Sequence, residues 1–171
     1  MDKIKHEKKA LSYYKIAYKK LDKLTPLPFD CGELCNKRCC GGDNKGMYLF
    51  PFEYEFMQSQ GFVIIDKVID ASNNIKLLMC EGVCDRHERP LACRIFPLFP
   101  YIDEKNKTIN VEFDLRGKSI CPLQFQDIKE IVLKKRFKRT IKKVFKKLIR
   151  IPQIYDFCLL MTQEIQFLSR F

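Results

Sequence analysis

The chain has 171 residues, 46% of them apolar, with nine cysteines and a formal net charge of +11. That length suits one domain with its own hydrophobic core. The charged start MDKIKHEKKALSYYKIAYKK lacks the apolar stretch of a secretory signal, and no apolar run approaches the length of a membrane span, so the expected compartment is the cytosol, where thiols stay reduced.

In chain order, residues 3–24 read as a helix. Leu11, Tyr14, Ile16, Ala17, Tyr18 and Leu21 recur at helical spacing among lysines. Thr25-Pro26-Leu27-Pro28 breaks it. The cluster CGELCNKRCC follows and runs into Gly41-Gly42-Asp43, a turn. Pro51 to Gln60 reads as a short helix, with Pro in its first turn, Glu53 and Glu55 near its positive end and Gly61 as its stop. Phe62–Ile65 and Ile75–Met79 read as short strands, and Tyr101–Ile102 with Thr108–Phe113 as a hairpin around DEKNK. Gln126–Arg150 is a long basic amphipathic helix with Ile128, Ile131, Val132, Phe137, Ile141, Val144, Phe145 and Leu148 on one side. Pro152 breaks it, and Ile154–Leu168 forms a last, more apolar helix.

The expected fold is α+β and α-rich: an irregular cysteine-ligated core with a small β element, wrapped by N- and C-terminal helices. Residues 1–25 form the N-terminal helix, 26–125 the cysteine-cluster core and 126–171 a C-terminal helical hairpin packed on it, one globular domain in all.

Eight cysteines fall between positions 31 and 121: Cys31, Cys35, Cys39, Cys40, Cys80, Cys84, Cys93 and Cys121. Eight reduced thiols in groups point to metal ligation rather than to a disulfide framework. If residues 31–39 are helical, Cys31, Cys35 and Cys39 share one face, because i, i+4 and i+8 nearly coincide. Cys40 then points elsewhere, and Cys121 closes the set late in the chain. The ninth, Cys158, sits in IYDFCLLM on an apolar helix face and reads as core.

The gaps between these cysteines include no C-x2-C, the knuckle that structural zinc sites favour. Iron–sulfur clusters accept more varied spacing and often place a proline after a ligand, as in Cys121-Pro122. The expected cofactor is therefore a four-iron four-sulfur cluster, with Zn²⁺ as the alternative. The C-x3-C-x2-C triad of radical enzymes is absent, since Arg38 stands where the third cysteine belongs.

Three segments carry a family resemblance: CGELCNKRCC, LFPFEYEFMQSQG and CEGVCDRHERPLACRIFP, the last with the core R-P-x-x-C-R-x-F-P. They resemble the YkgJ-type cysteine-cluster proteins, a family of zinc- or iron-chelating proteins, over about residues 29–123. The gaps of the first cluster are one residue longer than the family's usual C-x2-C-x2-CC. The family includes flagellin lysine N-methylase-like members, so the resemblance implies a protein-lysine methyltransferase as one possible activity.

Arg86, Arg89 and Arg94 lie among the cysteines, where cations offset thiolate charge and lower thiol pKa values. They are the candidate cofactor-neighbouring residues. His87 stands between Arg86 and Glu88 and is read outside the ligand set, because eight thiols suffice. Two histidines leave little room for a histidine-based triad, and neither a P-loop nor G-x-G-x-x-G occurs, so catalytic residues are not assigned.

Between Lys129 and Arg150 there are eleven Lys or Arg and one acid, Glu130. Such a helix offers RNA phosphates, an anionic membrane or an acidic protein a binding face. The competing reading is a solvated outer face whose apolar stripe packs on the core. Three functions are thus open: a cytosolic iron–sulfur or zinc protein with a redox, metal-handling or structural role, which leads; a lysine-methylase-like enzyme; and a metal-stabilised adaptor for nucleic acid or an acidic partner.

Overall fold

The computed structural model describes residues 2–40, 46–57, 63–70, 73–79, 85–124 and 133–169. The fold is α+β and helix-rich. Its helices are α1 (Asp2–Leu21), α2 (Glu53–Met57), α3 (Leu91–Ile95), α4 (Lys135–Leu148) and α5 (Pro152–Leu168). Its strands are β1 (Gly46–Tyr48), β2 (Val63–Asp70), β3 (Asn73–Met79), β4 (Leu98–Asp103) and β5 (Thr108–Phe113).

Helix α1 buries Ala10, Tyr14, Ala17, Tyr18 and Leu21, one stripe of a 3.6-residue period. Ile16, expected on that stripe, is instead 41% exposed. The stripe packs on α4 and α2. Helix α4 buries Phe137, Ile141, Val144, Phe145 and Leu148, the stripe read from sequence. The helix starts at Lys135 rather than at Gln126. Leu133 and Lys134 precede it as non-helical chain, and the Lys134 amide donates to the Pro26 carbonyl at 2.9 Å. Ile128, Ile131 and Val132 lie outside the described residues. Pro152 opens α5 at its first turn, where a missing N–H costs nothing.

Two antiparallel sheets complete the fold. One has the order β1-β3-β2, and the other is the hairpin β4-β5. The hairpin pairs Leu98 with Phe113 and Ile102 with Ile109, so it begins earlier than the sequence reading placed it. Helix α5 packs on β4, and α4 on β5. At that junction the Thr162 hydroxyl accepts the Ile102 amide at 3.0 Å and donates to the Cys158 carbonyl at 2.7 Å. The core centres on Phe50, whose ring lies 5.1 Å from Phe145 and 5.2 Å from Phe157. Cys158 is fully buried in it, as the sequence suggested.

A candidate metal centre

The first cysteine segment is not a helix. Two 3₁₀ turns, Cys31–Leu34 and Arg38–Cys40, are separated by Asn36 and Lys37 with φ of 49° and 55°. An L-residue enters that left-handed region at a cost of about 1 kcal/mol, and it ends any continuous helix there. The expected shared helical face of Cys31, Cys35 and Cys39 is therefore absent. The turns are held locally instead. Asp30 accepts the Gly32 amide at 3.0 Å, the Lys37 amide donates to the Gly32 carbonyl at 3.0 Å, and the Cys40 amide donates to the Lys37 carbonyl at 2.7 Å.

These turns still gather the thiols. Cys31, Cys35 and Cys39 line one cavity of about 20 Å³, and Cys121 joins them from the far end of the cysteine region. Phe96, Pro97, Ile120 and Leu123 supply apolar wall. The Sγ atoms of Cys39 and Cys40 lie 3.9 Å apart. Cys121 is placed by its amide, which donates to the Gly117 carbonyl at 2.8 Å. Glycine is required at 117: a Cβ there would lie 2.6 Å from the Phe96 ring.

Electrostatics divide the thiols. The hydrogen bond with Cys39 brings Cys40 down to about 6 against the effect of burial, with help from the Arg89 and Lys37 cations. The same bond, then burial, pushes Cys39 up. Burial, with Asp30 and Cys35 nearby, raises Cys31, and Arg86 and Arg89 offset part of that rise. Burial raises Cys121 to about 11. A soft cation entering this cavity would displace those protons.

Cys93 is half-buried on α3 and is not among the residues lining the cavity. Cys80 and Cys84 lie outside the described residues. Arg86 closes the end of α1: its side chain donates to the carbonyls of Asp22 at 2.7 Å and Leu24 at 2.6 Å. Arg94 is 2% exposed and directs its guanidinium to the Arg89 carbonyl, the His87 carbonyl and the Asp22 carboxylate at 2.7, 2.6 and 3.1 Å. It also lies over the Tyr18 ring, 4.4 Å from the centroid. The His87 ring pairs with Asp22 at 2.8 Å. Arg94 thus braces the cysteine-flanking loop against α1, while Arg86 and Arg89 are the cations near the thiols.

Two residues that organise this region went unassigned in the sequence. Asp22 receives both Arg94 and His87. Its signal was an acid just past the last turn of a basic helix, too common a feature to single it out. Glu53 was read only as a first-turn acid and part of a motif. It is fully buried and accepts from the Tyr18 hydroxyl, the Phe50 amide and the Leu91 amide.

The donor set suits a thiophilic ion, because thiolates select zinc, cuprous copper and iron–sulfur centres. Among the described residues, no three Cys, His, Asp or Glu side chains stand in a metal-binding arrangement. The fold and this cavity define a helix-rich α+β protein with a thiol-lined pocket between two 3₁₀ turns and the Cys121 loop. Comparisons with protein-family models, curated proteins and solved structures find no match to the chain.

Proposed function

We propose that the chain is a metal–thiolate protein of the YkgJ-like cysteine-cluster type, acting in a reducing compartment such as the cytosol. One observation carries this reading: Cys121 closes on Cys31, Cys35 and Cys39 around a single small cavity. Four thiols from two distant segments do not converge as idle core, since a buried lone cysteine needs no thiol neighbours. Cys40 extends the donor group through its contact with Cys39. Cys80, Cys84 and Cys93 belong to the proposed ligand set by their sequence motif.

The bound group is either an iron–sulfur cluster or zinc. The irregular cysteine gaps and Cys121-Pro122 favour the cluster. The cavity, about 20 Å³, is closer to the space of one water-sized guest and favours a single ion. The half-exposed turns flanking it have little apolar content, so the group would contribute folding energy there.

The test is metal and acid-labile sulfide content of anaerobically purified protein, repeated for Cys39→Ser, Cys40→Ser and Cys121→Ser. Each substitution is expected to lower metal content. Sulfide with visible absorbance selects the cluster, and a colourless protein with stoichiometric zinc selects the ion. Wild-type protein that holds neither, even after anaerobic reconstitution, overturns the proposal.

A further inference from the structure

Helix α4 spends its apolar stripe on the core, yet its other faces stay crowded with cations. Between α1 and α4 this leaves a groove of about 260 Å³. Lys20 of α1 forms one side, and Lys143, Lys146, Lys147 and Arg150 form the other. Tyr13 and Ile16 are apolar lining between them. Among the described residues no acid lines the groove, and none of these five cations takes part in a salt bridge. Lys143, Lys146, Lys147 and Arg150 are spaced i, i+3, i+4 and i+7, where like charges repel one another. Among the described residues no ion pair relieves that repulsion here, whereas Lys138, elsewhere on α4, meets Glu112 at 3.0 Å.

We propose that this groove binds the phosphate backbone of a single-stranded nucleic acid. The charge is spread rather than focused. From Lys143 to Arg150 it extends over roughly 10 Å at 1.5 Å per residue, with Lys20 on the opposite side of the groove. An isolated phosphate meets only a few of these cations, whereas a strand presents a phosphate at every nucleotide. The half-buried Tyr13 ring, with the Lys9 ammonium 6.0 Å from its centroid, gives the groove one aromatic surface for a base, and Ile16, 41% exposed, adds apolar contact beside it. The concave shape argues against a lipid surface, because a membrane-seeking helix holds its apolar residues proud of its cations, and here they lie between them. The inference is independent of the thiol centre, which is built from other residues.

The experiment uses the full-length protein as purified, with a labelled single-stranded RNA and the matching DNA, followed by fluorescence anisotropy across a salt series. Log affinity is expected to fall with log salt at about −0.7 per neutralised phosphate, so about −3 for four or five contacts. The double variant Lys143→Gln, Lys147→Gln is expected to bind about tenfold more weakly at low salt and to lose roughly 1.4 of that slope. Lys105→Gln with Lys107→Gln, on the β4–β5 turn, is expected to change neither. A flat salt response overturns the proposal. So does full competition by poly-glutamate at equal charge, binding only to anionic vesicles, or an affinity that the groove variant leaves unchanged.

Discussion

The Glu53 carboxylate accepts the backbone amide of Leu91 at 2.6 Å, joining the short helix after Pro51 to the first turn of the helix that carries Cys93. The same carboxylate takes the Tyr18 hydroxyl from α1 and the Phe50 amide. One buried acid thus ties three segments together beneath the cysteine region. Glu53→Ala leaves the Phe50 and Leu91 amides unpaired, each costing about 1–3 kcal/mol, and leaves the Tyr18 hydroxyl only the weak Met57 Sδ acceptor at 3.1 Å. The expected loss is at least about 2 kcal/mol, read from urea unfolding.

Glu53→Gln separates charge from hydrogen bonding. Burial raises the Glu53 carboxyl above its ordinary 4.5, against the pull of its three donors and of Arg94. The folded state therefore keeps this proton to a higher pH than the unfolded chain does. In the window from 4.5 up to the folded value, folded protein binds more protons, so this group's contribution falls as pH rises and is constant below the window. Glutamine cannot ionise and lacks that fall. Glu53→Gln is expected to be less stable than wild type at low pH, because its amide nitrogen opposes an N–H. The gap should then narrow as pH rises above 4.5. A gap independent of pH would exclude the raised carboxyl.

Arg94→Lys is expected to cost about 3 kcal/mol despite conserving charge. Three acceptors surround the guanidinium, and a lysine ammonium has neither its planar fork nor its fit over the Tyr18 ring. Asp22, itself partly exposed, keeps its His87 partner, so the cost falls on the buried guanidinium's own acceptors. Although burial opposes it, hydrogen bonding from His87 and Arg94 holds the Asp22 carboxyl below its ordinary 3.8. That stabilisation is present above 3.8 and is lost as pH falls through the lowered value. The variant is therefore expected to show a shallower acid limb in a pH–stability profile.

Much of this framework was legible in the sequence. The stripe of α1, the buried face of α4, the hairpin and the core position of Cys158 follow from local periodicity and turn chemistry. The helix start at Lys135 was not legible, because the basic amphipathic pattern runs on upstream past the point where Lys134 turns to meet Pro26. The i, i+4, i+8 spacing of Cys31, Cys35 and Cys39 suggested a helical face, yet Asn36 and Lys37 adopt positive φ, which spacing does not encode. The convergence of Cys121 with them was expected only as a late closing ligand. The roles of Glu53 and Asp22 depend on partners far along the chain, Leu91 and Arg94, and local pattern carries no sign of such pairings.

Cys158 provides the control for the thiol centre. It is fully buried and flanked by core, and burial alone pushes its thiol upward. Cys158→Ala is expected to cost about 1 kcal/mol by removing one buried sulfur and to leave metal content unchanged. Cys121→Ala is expected to lower metal content. If both substitutions lower it equally, metal loss reports global destabilisation rather than ligation.

Gly117 tests whether the apolar wall matters to the centre. A Cβ at 117 would meet the Phe96 ring at 2.6 Å and the Gln124 amide at 3.0 Å. Phe96 lines the thiol cavity, and the Gly117 carbonyl receives the Cys121 amide. Gly117→Ala is therefore expected to push Phe96 aside, costing about 1–3 kcal/mol as overpacking does, and to shift Cys121 relative to Cys31 and Cys35. Metal content or off-rate should change with it. Adding Phe96→Leu to Gly117→Ala removes the clashing ring and is expected to recover part of both the stability and the metal. Recovery of stability without metal would assign Phe96 itself to the wall of the site.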